Sequence, residues 1–459
     1  MRKKHCIITN MKIFESWKLK FEKPDWSNDP QFALIDTILE MNPNLIEMAV
    51  HDIMAGEAES NFGRGDTPSV EQIVRVALYK EIKGCTYRNL EYAQIDSRIC
   101  EQFTKINPAR PYSFQVLQKY ISRITEETLS KLMVELNKIA IDEKIEDLTK
   151  FREDSTVVET NIHYPTNSAI MYDCIKESHR LLKHLNKATG RGIKYKNYRK
   201  EGKKRCFKIN TEKSDKSRKD LFREQLELLT KCIDQVSRII DLKLERVGII
   251  RVISLITALK DLLPIMKQVH KMAYDREILD RKVPNEEKIF SIYERHTDII
   301  VKGQRDSKFG HKVDIGTGAS SLILTCCIPR GNPNDKEFFR NTIDTVKREY
   351  GKVPESAVAD GGYASLKNST QAVKKGVINV VFNKITNNMK NIAISEAVET
   401  GLKKWRSGIE AVISNLKRGY NLRRCMWKGW EHFQRKVYWS IIAYNIRVMT
   451  GHMLLQMEV

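Results

Sequence analysis

Apolar positions repeat with two periods along this chain, and the places where the period changes mark out its elements. After Thr67-Pro-Ser, residues Val70, Ile73, Val74, Ala77 and Leu78 fall at i, i+3, i+4, i+7 and i+8, the stripe of an amphipathic helix. Thr67 serves as its cap and Pro68 suits the first helical position. The pattern stops at Gly84; Thr86-Tyr-Arg-Asn-Leu-Glu-Tyr opens a second helix, and Ser113 to Ile124 forms a third that runs into Thr125 to Asp142. Around Asp154 the period becomes two: Phe151-Arg-Glu-Asp-Ser-Thr-Val-Val-Glu-Thr alternates and is rich in β-branched residues, which predicts a strand, and Pro165 closes it. Residues 168–300 read as helices interrupted by a basic stretch, Ile193 to Arg223. Strand character returns at Phe309 to Ile315 and Ser321 to Ile328, followed by a helix from Asp335 to Tyr350 and strands at Ser356 to Ala359 and Val377 to Phe382. Helices at about Ile392 to Lys417 and Glu431 to Met449 complete the pattern. Strands alternating with helices after a hairpin predict a mixed α/β sheet split by a long helical insertion.

Composition narrows the function. At 459 residues the chain has room for about three structural units. Its net charge of +21 points to a polyanionic partner, and 41% hydrophobic residues exclude a solvated disordered chain. No apolar run is long enough for a membrane span, the nearest, Val247 to Leu259, being broken by Arg251. The start, Met1-Arg-Lys-Lys-His-Cys, lacks the apolar segment of a secretory signal. Nine cysteines without a C-x-x-C pair read as reduced thiols, not as a disulfide frame or a zinc site. Gly316-Thr-Gly318 lacks the Lys that would hold a nucleotide phosphate. The short helices of residues 66–145, with a Gly-containing turn and basic faces (Lys80, Lys83, Arg88, then Lys119 and Arg123), suit either a helix-turn-helix on DNA or an ordinary helical bundle with solvated charges. The stretch Ile193 to Arg223 carries 13 Lys and Arg against four acids and is expected on the surface, where Lys203, Lys204 and Arg205 can meet DNA phosphates or simply remain solvated.

Two carboxylates stand out by position. Asp360 ends the short apolar strand Ser356-Ala-Val-Ala, and Gly361-Gly362 turns the backbone at once, which exposes a carboxylate at a strand tip. A plain Asp-Gly turn reads the same way. Glu410 borders the stripe Ile409, Val412, Ile413 and Leu416, with Arg406 four residues before it and Lys417 seven after, all near one helix face. Such spacing usually means an ion-paired surface. Here, however, Lys403 to Arg424 holds seven basic residues and one acid, and a lone carboxylate in a field suited to DNA is electrostatically wasteful unless it holds a cation. Together with Asp154 on the first strand, these acids meet the needs of two-metal phosphoryl transfer, in which hard cations about 4 Å apart take oxygen ligands. Convergence of the three is beyond sequence, since 58 acids offer many triples.

Four strings, Asp154-Ser-Thr-Val-Val-Glu-Thr-Asn-Ile-His-Tyr-Pro-Thr-Asn-Ser, Phe309-Gly-His-Lys-Val, Ala359-Asp-Gly-Gly-Tyr-Ala-Ser and Ile409-Glu-Ala-Val-Ile-Ser-Asn-Leu-Lys-Arg, occur in the order found in bacterial insertion-sequence transposases of the DDE type. Over residues 66 to 450 the chain most resembles the group usually left unclassified among insertion sequences, related to transposases with a Tyr-Arg-Glu-Lys signature. Arg406, Glu410 and Lys417 match that signature, while Lys403 stands at the Tyr position and Trp405 lies nearby. The resemblance implies an RNase H-like catalytic core, with Asp154, Asp360 and Glu410 as catalytic residues and ligands of two Mg²⁺ or Mn²⁺ ions, and with Arg406 and Lys417 steering phosphates. It also implies the organisation: residues 1–65 of unknown role, 66–145 a helix-turn-helix-like end-binding region, 146–168 the first part of the catalytic domain, 169–300 a helical basic insertion, and 301–459 the remainder with the C-terminal helices.

The implied activity is binding of terminal inverted repeats in double-stranded DNA, cleavage, and joining of 3′-OH ends to target DNA by a homodimer or larger paired-end complex, in the bacterial cytoplasm at the nucleoid. A metal-dependent nuclease without strand transfer would share every motif. A non-catalytic DNA-binding regulator would keep the basic surface without needing the acids. His163 and His311 read as hydrogen-bonded structural residues, and Trp427 and Trp430, set among Arg423, Arg424 and Lys428, as packing or as platforms for a base.

Overall fold

The computed structural model describes residues 29–55, 67–190, 192–302, 306–385 and 389–457. The amino-terminal segment read for a leader signal lies outside them. The chain divides into two units, Met1–Thr160 with Ile300–Val459, and Asn161–Ile299.

The first unit opens with helices α1 (Pro30–Met41), α2 (Asn44–Glu47) and α3 (Val50–Met54), then α4 (Val70–Ile82), α5 (Tyr87–Asp96), α6 (Arg98–Thr104), α7 (Phe114–Ile121) and α8 (Glu126–Asp142). The cap of α4 is Ser69, not Thr67: the Ser69 hydroxyl accepts from the Gln72 amide while the Gln72 side chain accepts from the Ser69 amide, and this reciprocal box fixes the start two residues later. The third helix does not run on through Ile124; it ends at Ile121, and Thr125 caps a separate α8 by accepting from the Thr128 amide. Residues 30–54, which carry no motif, share the core of this unit through Phe32, Ile35, Ile38 and Ile53. Helix α4 is buried on almost every side, and its Arg75 is wholly enclosed, paired with Asp36 and Glu71 and donating to the Phe103 carbonyl.

Seven strands follow among the described residues: β1 (Lys150–Thr160), β2 (Asp298–Lys302), β3 (Asp306–Thr317), β4 (Ile323–Cys327), β5 (Ser356–Ala359), β6 (Asn379–Phe382) and β7 (Arg424–Cys425). They form one mixed sheet in the order β2-β3-β1-β5-β6, with β4 on β3 and β7 on β1. Strand β1 runs antiparallel to β3 and parallel to β5, and β5 runs parallel to β6. This architecture is consistent with the RNase H-like core expected from the sequence. The long C-terminal helix Trp430–Met457 packs on α1, α4 and α8. It is tied in by Asn445, which donates to Asn137 of α8 and to the Ile323 carbonyl and accepts from the Ile323 amide. Such a fully satisfied buried network specifies one arrangement of helix, helix and strand.

The second unit is helical: α9 (Asn167–Thr189), α10 (Arg199–Thr211), α11 (Asp215–Asp241) and α12 (Ile250–Glu277). Its core is a stripe system, with Phe222, Leu226, Leu229, Cys232, Val236 and Ile239 of α11 meeting Ile175 and Leu182 of α9 and Ile256 and Met266 of α12. The basic stretch is not an interruption of the helices but largely helical itself. Lys and Arg are good helix formers, and Ile209 and Phe222 supply buried anchors for the charged turns. No described helix is long and apolar enough to cross a membrane.

Candidate active site

Strand register brings the first two acids together. Glu153 of β1 lies opposite Ala359 of parallel β5, so the next residues, Asp154 within β1 and Asp360 just past the end of β5, stand at one level. After Asp360 the chain makes a single turn, Gly361–Tyr363, closed by the Tyr363 amide on the Asp360 carbonyl at 3.0 Å. Only glycine fits at 361, because a Cβ there would stand 2.4 Å from the Lys384 carbonyl oxygen.

The third acid comes from a broken helix. The stripe over residues 392–417 predicts one continuous helix, whereas the structure has α13 (Phe338–Tyr350) and α14 (Leu366–Lys374) followed by two helices, α15 (Glu396–Arg406) and α16 (Gly408–Gly419), that meet at Ser407. Arg152, two residues before Asp154 and on the same face of β1, causes the break. Its Nη1 donates to the Trp405 carbonyl at 2.6 Å, its guanidinium lies 4.5 Å from the Trp405 ring centroid, and a Cβ on residue 408 would come within 2.2 Å of that Nη1. Gly408 therefore lets the chain pass the guanidinium, and a carbonyl that a continuous helix would use is taken by a side chain instead.

Arg406, the last residue of α15, then enters between the acids. Its Nη2 lies 2.6 Å from Asp154 Oδ2 and 4.0 Å from Asp360 Oδ1, and its Nη1 lies 3.3 Å from Glu410 Oε1 in the first turn of α16. The guanidinium is 8% exposed and Glu410 67%, so the cluster is closed on the Arg406 side and open on the Glu410 side. Three carboxylates from three elements share one cation. Their hard oxygen donors suit a divalent cation. As placed, though, no group of three His, Cys, Asp or Glu side chains among the described residues converges on a single point, and a guanidinium holds the place between them.

Across the sheet lies a second acidic group that sequence reasoning missed. Glu153 and Asp314 are fully buried; Thr342 of α13 donates to Glu153 at 2.7 Å and the Tyr363 hydroxyl donates to Asp314. Burial pushes Asp314 up to about 7, and burial together with the Asp314 charge holds Glu153 well above the usual carboxylate range. The one available signal was the acid pair Glu153-Asp154 inside a strand, which must place a carboxyl on each face. Nearby, Lys312 pairs with Asp335 at 2.9 Å, and Ser155 reaches the same carboxylate oxygen at 3.3 Å.

The other residues singled out stand elsewhere. Lys417 lies two turns along α16 from Glu410, on the same groove. Arg88 and Lys119 are exposed, over the rings of Phe114 and Tyr120, and Arg123 donates to the Ile53 carbonyl at 2.8 Å. Lys80 is not a surface cation: it is buried, paired with Glu81 and seated over Tyr87 and Trp427. In the second unit Lys203 and Lys204 are exposed and Arg205 pairs with Glu224. His163 pairs with Asp173 at 2.6 Å, and His311 is buried edge-on to Trp430 and Phe433. Trp430 also stacks on Phe433, so both tryptophans serve packing.

Residues 292–446 match the family model of the transposase DDE domain, a stretch that holds Asp360, Arg406, Glu410 and Lys417 but not Asp154. The match supports a DDE-type transposase in general. No curated protein and no solved structure matches the chain.

Proposed function

We propose that this chain is a DDE transposase that binds the terminal inverted repeats of an insertion sequence, cleaves the DNA to free its 3′ ends, and joins them to target DNA. The single observation behind the reading is the meeting of Asp154, Asp360 and Glu410 around Arg406, because it unites an acid outside the matched stretch with two inside it. Asp154, Asp360 and Glu410 would hold two Mg²⁺ or Mn²⁺ ions, which supply the charge that activates the attacking oxygen and stabilises the leaving one. Both steps are one in-line displacement at phosphorus: water breaks the P–O3′ bond in cleavage, and the freed 3′-OH then attacks a target phosphodiester. The protein positions the reacting oxygens, and Lys417, with Arg406 once it leaves the carboxylates, steers the phosphates. Exposed Arg88 and Lys119 are the cations of residues 66–145 through which the ends would be held, whereas Lys80 is spent on packing. Pre-cleaved ends with a free 3′-OH, incubated with a target plasmid, test this: a transposase gives joined products, and a nuclease with the same acids gives only further cleavage.

A further inference from the structure

Next to the carboxylates, α16 borders a groove of 380 Å³ lined by Glu410, Ile413, Ser414, Lys417, Arg418 and Arg423. Glu410, Ile413, Ser414 and Lys417 follow the i, i+3, i+4, i+7 rule, so the groove runs along one helix face from the acid cluster toward cations. Among the described residues that line it, the one acid is Glu410, at the end it shares with the cluster. Arg418 and Arg423 are exposed, and among the described residues neither has an ion-pair partner. Arg423 is nevertheless held firmly, because its carbonyl accepts from the Glu159 amide at 3.2 Å where β7 joins β1. Seven residues of helix span about 10 Å, the axial rise of about three nucleotides of one DNA strand.

We infer that this groove seats the DNA strand leading away from the reacting phosphate, with Arg418 and Arg423 on backbone phosphates about two or three nucleotides from it. The inference rests on the transposase reading for the location of the reaction. Its own basis is the two exposed arginines, Arg418 and Arg423, a hydroxyl at Ser414 and an apolar floor at Ile413 that suits a sugar edge. Phosphate contacts hold register without reading sequence, so these arginines position the strand and do not select it.

The test uses the full chain and a random-sequence duplex. Affinity over a salt series should give an Arg418→Ala/Arg423→Ala double variant a slope shallower than the parent's by about two. A double Arg→Lys variant should restore the slope, and unchanged circular dichroism should show that the fold is kept. A slope equal to the parent's in the alanine variant overturns the inference. On DNA carrying the element's own ends, one neutral methylphosphonate linkage placed two or three nucleotides from the cut should lower cleavage by the parent and lower it no further in the Arg423→Ala variant; an equal further loss in that variant also overturns it. If the parent cleaves no DNA, the transposase reading fails, while the salt series still decides whether the groove holds a strand.

Discussion

Glu153 and Asp154 are consecutive on β1, yet their carboxyl groups go to opposite faces of the sheet and meet opposite surroundings. Asp154 faces Arg406 and, through it, Asp360 and Glu410, at the edge of solvent. Glu153 faces Asp314, fully buried, with Thr342 and Tyr363 as donors and, among the described residues, no ion pair to either acid. In the first group one guanidinium lies among the three carboxylates. In the second, burial raises both acids and so favours a proton held between them. A carboxylate cluster around a guanidinium at the edge of solvent is open to another cation, whereas an enclosed pair held toward its protonated form serves as an anchor. Tyr363 links the two, since it donates to Asp314 and closes the turn that presents Asp360.

The largest effect should come from the Asp154 face. Asp154→Asn, Asp360→Asn or Glu410→Gln should each lower metal-dependent cleavage by more than about a hundredfold while DNA binding in a mobility-shift assay is kept. Near-parental cleavage by any one of them removes that residue from the site and dissolves the contrast. Next, Arg406→Gln leaves three carboxylates facing one another; the cost should be about 1–3 kcal/mol, less than for a fully buried pair because Glu410 is exposed and Asp360 half-buried. Added Mn²⁺ should then raise the melting temperature more in this variant than in the parent, and an equal rise in both would show that Arg406 does not hold a cation's place.

On the other face the effect is a pH dependence. Asp314 is raised from its ordinary value to about 7, so the folded chain binds more protons than the unfolded one in between. Its contribution to stability is complete below about pH 4 and is lost as pH rises through about 7, by up to a few kcal/mol. Asp314→Asn keeps an acceptor for Tyr363 and should flatten that fall in denaturant titrations from pH 5 to 8; an unchanged slope would mean that the pair is not neutralised by a proton. The smallest effect concerns charge in the second unit. Neutralising Lys203, Lys204 and Arg205 should weaken binding to all duplexes alike and flatten the salt slope by up to about three, with Arg205 contributing least because Glu224 already pairs with it. An unchanged slope would leave this stretch as a solvated helix face.

What the sequence conveyed and what it withheld follow from the range of the interactions. The alternation of β1, the apolar run before Asp360, its Gly-Gly turn and the stripe beside Glu410 are local patterns, and each corresponds to an element in the structure. The break at Ser407 left only the Ser407-Gly408 pair as a local mark: Ser407 itself has helical dihedrals, and the side chain that takes the Trp405 carbonyl is Arg152 on a distant strand. For the same reason Arg152, Asp314 and Thr342 went unnoticed, since their roles exist only once β1, β3 and α13 are packed. The Ser69-Gln72 box, by contrast, was present in the sequence and was outweighed by the Thr-Pro start two residues earlier.

On the proposed reading, Asp154 acts in one metal-dependent site with Asp360 and Glu410, although it lies outside the stretch that matches the DDE domain. Joining of pre-cleaved 3′-OH ends to a target plasmid in Mn²⁺, compared between the parent and Asp154→Asn, measures this directly. The parent should give joined products and the variant none at equal DNA occupancy; joined products from Asp154→Asn at the parental rate would take Asp154 out of the site.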